Sequence, residues 1–153
     1  MLVDSHCHLQ EAVFDADRAE VLKRALDACD ALVVAGDDLA SSRSALALTG
    51  ARVRSTAGVH PHYADSVDGG TLSALRDLLA EPAVAALGEI GLDYHYDNSP
   101  RPDQRRAFEQ QLALAVELDR PVVVHSRSAE GDTLAILSGA GRQLSGVMHC
   151  FSG

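Results

Sequence analysis

The sequence predicts an α/β fold of about six parallel strands and five helices, and three observations predict it. Short apolar, β-branched runs alternate with stretches of helical period along all 153 residues. Such alternation builds parallel βαβ units with right-handed crossovers. Runs such as Leu32-Val33-Val34 and Val122-Val123-Val124 are apolar at every position, as strands buried on both faces must be. No linker or repeat divides the chain, so residues 1–153 read as a single domain.

Residues 2–8 form the first expected strand, with His6 and His8 on one face and Cys7 on the other. Residues 17–29 read as a helix with Val21, Leu22, Ala25, Leu26 and Cys29 on one side. A second strand over 31–36 is followed by a short helix over 39–48 that ends near Gly50. The third strand spans 53–60, a helix 72–80, and the fourth strand lies within 84–94. Pro100 and Pro102 open the next helix, where proline is tolerated in the first turn. Phe108, Leu112, Ala115 and Val116 are its apolar stripe, and it ends before Pro121. A fifth strand over 121–125, a helix around 133–137 and a sixth strand over 146–151 complete the order. Two architectures fit it: an open doubly wound sheet, or three quarters of a (βα)8 TIM barrel. Periodicity does not choose between them.

Composition narrows the function. With 46% hydrophobic and 23% charged residues the chain has the make-up of a globular domain, and no apolar run approaches the roughly 20 residues of a membrane span. Met1-Leu2-Val3-Asp4-Ser5 lacks the basic and apolar regions of a signal peptide, so the cytoplasm is the expected location. Cys7, Cys29 and Cys150 are odd in number and suggest reduced, buried thiols, not a disulfide framework. A net charge of −9 argues against a broad basic face gripping nucleic acid through many phosphates. A phosphate held by bound cations is still allowed, because metals can be the largest charges in a site.

The histidines choose the architecture. Six of the seven lie in an expected strand, end one or follow closely on one. His6 and His8 share a face of the first strand, His60 and His62 repeat the spacing after the third, His125 closes the fifth and His149 lies in the sixth. Glu89 ends the apolar part of the fourth. In a βα barrel the C-terminal strand ends form one rim, and that rim carries the active site. Imidazoles and a carboxylate gathered there suit divalent ions such as Zn²⁺ or Mn²⁺. A buried carboxylate without a cation would be costly. His95 sits in a polar loop with Tyr94, Tyr96 and Asp97 and reads as a surface residue.

Five segments in order, Asp4-Ser5-His6-Cys7-His8-Leu9, Gly58-Val59-His60-Pro61-His62, Gly88-Glu89-Ile90-Gly91-Leu92-Asp93-Tyr94, Pro121-Val122-Val123-Val124-His125-Ser126-Arg127 and His149-Cys150-Phe151-Ser152-Gly153, resemble the successive motifs of TatD-family metal-dependent deoxyribonucleases. These belong to the amidohydrolase superfamily. The resemblance implies an incomplete TIM barrel and two divalent cations (Zn, Mg or Mn). His6, His8 and Glu89 would hold the first, with Glu89 bridging to a second held by His125 and His149. It assigns His60 and His62 to substrate phosphate or a further cation, and Arg127 to phosphate or a structural salt bridge. Asp93 would orient Glu89 or a loop. The implied reaction is cleavage of DNA phosphodiester bonds by metal-activated water, with Glu89 central to it.

One family residue has no counterpart. An aspartate on the last barrel strand completes the family's first metal site, and a full barrel needs at least ~200 residues. The 153-residue chain is therefore expected to be a fragment with open edges at its first and sixth strands, poorly stable and weakly active alone. Two alternatives stand beside the nuclease: another amidohydrolase-type hydrolase acting on a small ester, amide or lactone, and a non-catalytic metal-binding remnant. With no tryptophan and few aromatic residues, tight sequence-specific binding of nucleic acid is not expected.

Overall fold

The structure, a computed structural model, describes residues 1–141 and 144–150. Six strands, β1 (Val3–Cys7), β2 (Ala31–Val34), β3 (Val53–Ala57), β4 (Val84–Asp93), β5 (Val122–Arg127) and β6 (Gly146–Met148), form one sheet. Between them run α1 (Arg18–Ala28), α2 (Leu39–Ala47), α3 (Gly69–Leu79), α4 (Arg101–Glu117) and α5 (Glu130–Gly139). All five strand pairings are parallel, and the strands lie in sequence order. That order decides what periodicity left open. A doubly wound sheet reverses direction at a switch point, whereas repeated right-handed crossovers in one direction put every helix on the same face and curl the sheet. The chain is a half-barrel of six strands.

The apolar patterns pack as their periods require. Around β3 to β5, Leu75, Leu79, Leu87, Ile90, Leu92, Phe108 and Leu112 are fully buried. A second cluster under β1 and β2 gathers Leu32, Val34, Ala45 and Val53, with Val21, Leu22, Ala25, Leu26 and Cys29 packed against it. Val116, expected in the α4 stripe, is instead exposed, because the buried arc is centred on Gln104, Gln111 and Ala115 and Val116 falls at its flank. Among the described residues β1 and β6 each have a single neighbour, and their apolar residues Val3 and Val147 are 40% and 52% exposed. This is the edge exposure the sequence implied.

Two strand ends near the site depart from expectation. β3 ends at Ala57, and His60 and His62 follow it in a 3-10 turn over Pro61–Ser66, because Pro61 cannot donate to a ladder. β6 ends at Met148, so His149 and Cys150 lie in a turn beyond it, and Cys150 is exposed, not buried. Phe151, Ser152 and Gly153, the end of the last motif, lie outside the described residues. Cys7 and Cys29 are half-buried. Burial pushes the Cys7 thiol up to about 11. Among the described residues no helix is long and apolar enough to cross a membrane.

Two buried glutamines of α4 fasten the loops that carry the site. The Gln111 amide accepts the Val59 N–H at 2.8 Å and donates to the Val59 carbonyl at 3.1 Å. Gln104 does the same for Asp93, accepting its N–H at 2.8 Å and donating to its carbonyl at 3.1 Å. Both sit where an apolar residue would be expected in the stripe. Gln111→Leu should therefore cost about 2–3 kcal/mol in urea denaturation, since it strands two buried backbone groups. A loss below about 0.5 kcal/mol would show that the loop finds other partners.

Candidate metal centre

The C-terminal ends of β1, β4 and β5, with the turns after β3 and β6, bring six imidazoles and two carboxylates together. His6 and His8 point to one side of β1, and their Nε2 atoms are 3.1 Å apart. Cys7 between them turns outward, its thiol 3.4 Å from the Val33 carbonyl. The backbone N–H of Glu89 donates to the Gly36 carbonyl at 2.9 Å, across the sheet interior. Behind Glu89, Gly58 and Gly88 pack so closely that a methyl group on Gly58 would lie 2.7 Å from the Gly88 carbonyl carbon. Those two motif glycines let the strands approach.

Glu89 is 2% exposed and lies at the centre. Its Oε2 faces His6 Nε2 at 3.1 Å and His8 Nε2 at 3.8 Å. Its Oε1 faces His149 Nε2 at 2.5 Å, His125 Nδ1 at 2.9 Å and His60 Nε2 at 3.7 Å. The two oxygens of one carboxylate thus address two different sets of nitrogens. The His6 and His149 rings stack 4.1 Å apart and join the sets. Burial alone would raise the Glu89 pKa, but hydrogen bonds from His125, His149 and His6 hold it well below the usual carboxylate range.

Asp93, four residues on, fastens the other side. Its Oδ2 accepts from His62 Nε2 at 3.0 Å and His125 Nε2 at 3.1 Å, while its Oδ1 accepts the N–H groups of His95 and Tyr96 at 3.0 and 2.9 Å. It therefore orients the following loop, as expected, and two imidazoles, whereas the expected link to Glu89 is not what it makes. Burial works against its charge, yet the bonds from Tyr96, His62 and His125 keep its pKa lowered.

The donor set fits divalent cations. Four ring nitrogens face one another and a carboxylate across gaps that hydrogen atoms alone cannot fill, since a neutral imidazole carries one N–H. The 3.1 Å separations of His6 from His8 and of His125 from His149 approach the roughly 3.3 Å expected between two nitrogens on one zinc-sized ion. His125 has a carboxylate at each ring nitrogen, the arrangement in which an outer carboxylate fixes a metal-binding imidazole. His6, His8 and Glu89 offer one group of ligand atoms, and His60, Glu89 and His125 another. Glu11 and Asp37 also bring carboxylate oxygens near His8, and Asp37, 3.4 Å from His8 Nδ1 but off the line of a hydrogen bond, raises the His8 pKa.

The remaining expected residues lie on the rim. His62 is turned to Asp93, away from Glu89. Arg127 is exposed and makes no ion pair among the described residues; its guanidinium lies over the Tyr96 ring at 4.7 Å, a cation–π contact in place of the structural salt bridge that was one of its two expected roles. His95 is exposed, as its loop suggested. The open cleft lined by His8, Glu11, His60, Glu89, His125 and their neighbours holds about 310 Å³. A larger groove of about 710 Å³ between α4 and α5 is apolar and carries no histidine.

A family model described as TatD related DNase matches residues 3–153. The chain belongs to that family. Its curated relatives include a protein described as an uncharacterized metal-dependent hydrolase, YabD of Bacillus subtilis, 36% identical over 157 residues that cover 100% of this chain and 62% of the relative. A second, named 3'-5' ssDNA/RNA exonuclease TatD, from Pantoea vagans, is 40% identical over 157 residues, covering 99% of this chain and 60% of that protein. The crystal structure of YJJV, a TatD homologue from Escherichia coli, superposes with a TM-score of 0.90 at 30% identity over 99% of this chain and 61% of the other. A TatD-family hydrolase from Entamoeba histolytica, at 24% identity and a TM-score of 0.87, shares the fold. This TatD-family chain spans about 60% of the length of the curated relatives it matches.

Proposed function

We propose that this site hydrolyses phosphodiester bonds of DNA with the help of two divalent cations. One observation carries the reading: Glu89 directs Oε2 to His6 and His8 and Oε1 to His125 and His149. A relative named as a single-strand exonuclease points to the same substrate class. Bound there, two such cations supply Lewis acidity and a water made acidic enough to attack phosphorus near neutral pH.

The chain's own residues then have separable tasks. His6, His8 and Glu89 would hold one ion, and Glu89, His125 and His149 the other. His60 works differently. Its Nδ1 accepts the His62 N–H at 3.2 Å, so the ring proton sits on Nε2 and points into the cavity as a donor. Burial lowers its pKa to about 4, which keeps it neutral at physiological pH. His60 is therefore placed to donate to a substrate phosphate oxygen, with His62 beside it. Arg127, exposed and without a carboxylate partner among the described residues, is placed to pair with a phosphate further out.

The test is direct. A fluorescently labelled single-stranded oligonucleotide incubated with the chain should be shortened in Mn²⁺, Mg²⁺ or Zn²⁺ and left whole in EDTA. No cleavage with any of the three ions would refute the reading. Asp93→Asn supplies a second test. Weakening its hold on His62 and His125 should lower Mn²⁺ affinity by about 10- to 100-fold in a titration followed by electron paramagnetic resonance. Unchanged affinity would deny Asp93 that role.

A further inference from the structure

Beyond the imidazoles, one aromatic ring stands at the mouth of the site with its surroundings fixed and its own surface open. Residues 94–97 turn directly after β4. The turn is anchored by Asp93, whose Oδ1 holds the Tyr96 and His95 amides while Oδ2 holds His62 and His125. On its far side Arg101 grips Asp97 through Nε at 2.9 Å and Nη2 at 2.8 Å. Tyr94 is consumed internally: its hydroxyl donates to Asp132 at 2.6 Å, and Arg101 covers its ring at 4.4 Å.

Tyr96 is the opposite case. Its backbone is fixed, yet it is 54% exposed, and among the described residues its hydroxyl makes no hydrogen bond. Its ring meets His62 edge-on at 5.6 Å between centroids and His95 at 4.8 Å. The Arg127 guanidinium backs it at 4.7 Å. Arg127 and His125 are two apart on β5, so the cation behind the ring and the imidazole in the site rise from one face of one strand. A large exposed aromatic ring held this rigidly offers contact area at little cost in side-chain entropy.

We propose that Tyr96, backed by Arg127, is a stacking platform for an unpaired base of the strand whose phosphate enters the imidazole site. The proposal rests on the nuclease reading above. Every base has a π face, so the platform is indifferent to sequence. A base in a duplex has both faces covered by its neighbours, so the platform favours single strands and frayed ends. Arg127 adds its charge without competing for the ring's open surface. In a chain of net charge −9, such a local aromatic and cationic contact replaces the broad basic face that is missing.

The experiment uses the whole chain with Mn²⁺ and a phosphorothioate pentanucleotide, slow to hydrolyse, carrying the fluorescent base 2-aminopurine at its centre. Stacking on tyrosine quenches that base, so quenching and affinity are read together. The parent should bind and quench, and Tyr96→Phe should retain both. Tyr96→Leu should bind about tenfold or more weakly and lose most of the quenching. The same strand with an abasic central site should bind the parent as weakly as the intact strand binds Tyr96→Leu. If Tyr96→Leu matches the parent in affinity and quenching, or the abasic strand binds the parent as tightly as the intact one, the platform is refuted and the nuclease reading is untouched. If the parent binds neither strand, both fall together.

Discussion

The chain is expected to be stabilised by Mn²⁺, and replacing Glu89 by glutamine is expected to abolish that stabilisation. The carboxylate reaches both imidazole sets, with Oε2 3.1 Å from His6 and Oε1 2.9 Å from His125. Loss of its charge would therefore weaken both proposed cation sites at once, where loss of any one histidine would weaken one. An ion at a hundred times its Kd stabilises the folded chain by about 2.7 kcal/mol, and the parent should show an upward shift of that order in thermal melts. Glu89→Gln should show almost none. In EDTA the two proteins should differ far less, because the amide keeps the shape of the carboxylate and retains partners among the same rings. Hydrolysis should fall with the affinity, by about a hundredfold or more. Equal stabilisation of parent and variant by Mn²⁺ would remove Glu89 from the metal centre and with it the proposed function.

The same residue shows what a sequence can and cannot carry. Histidines two apart on a strand must share a face, so His6 and His8 were legible as a pair. The recurrence of His125 and His149 at later strand ends, with Glu89 on the strand between, made one rim the economical reading. The half-barrel followed from the same alternation, because strand and helix periods are local properties. Contacts between elements distant in the chain were not legible. Gln104 and Gln111 carried a signal, polar residues inside the α4 stripe, but which carbonyl and N–H each would clasp depends on how α4 lies over β4 and the turn after β3. Asp93 reads from the sequence as an orienting residue, yet its bonds to His62 and His125 span 31 and 32 positions. Tyr96 reads from the sequence as ordinary loop; its exposure beside His62 is a property of the turn that Asp93 anchors. Strand ends were misplaced where a motif ran on past the ladder, as at His60 and His149.

Gly91→Ala should be the most damaging small substitution in the chain. Gly91 has φ of +141°, a conformation that L side chains rarely adopt, and a methyl group there would lie 2.0 Å from the His125 carbonyl oxygen. That contact is with backbone, in the pairing of Gly91 with His125 between β4 and β5, and backbone cannot swing aside as a side chain can. Strain and overlap together should cost about 4 kcal/mol or more, a large part of the 5–15 kcal/mol that holds a typical domain folded. The consequence reaches the chemistry, because Gly91 lies midway between Glu89 and Asp93 on one strand, and moving β4 from β5 displaces both carboxylates from His125. Gly131→Ala in α5 is the matched contrast. Apart from its chain neighbours and the backbone of its own helix, no described atom lies within 4 Å of a methyl group there, so the loss of backbone freedom in the unfolded chain should dominate and stabilise the protein by up to about 1 kcal/mol. Urea denaturation of the two variants should therefore move in opposite directions. A Gly91→Ala protein with the parent's midpoint would mean that β4 and β5 are held apart in solution, and that the carboxylates and His125 do not meet as described.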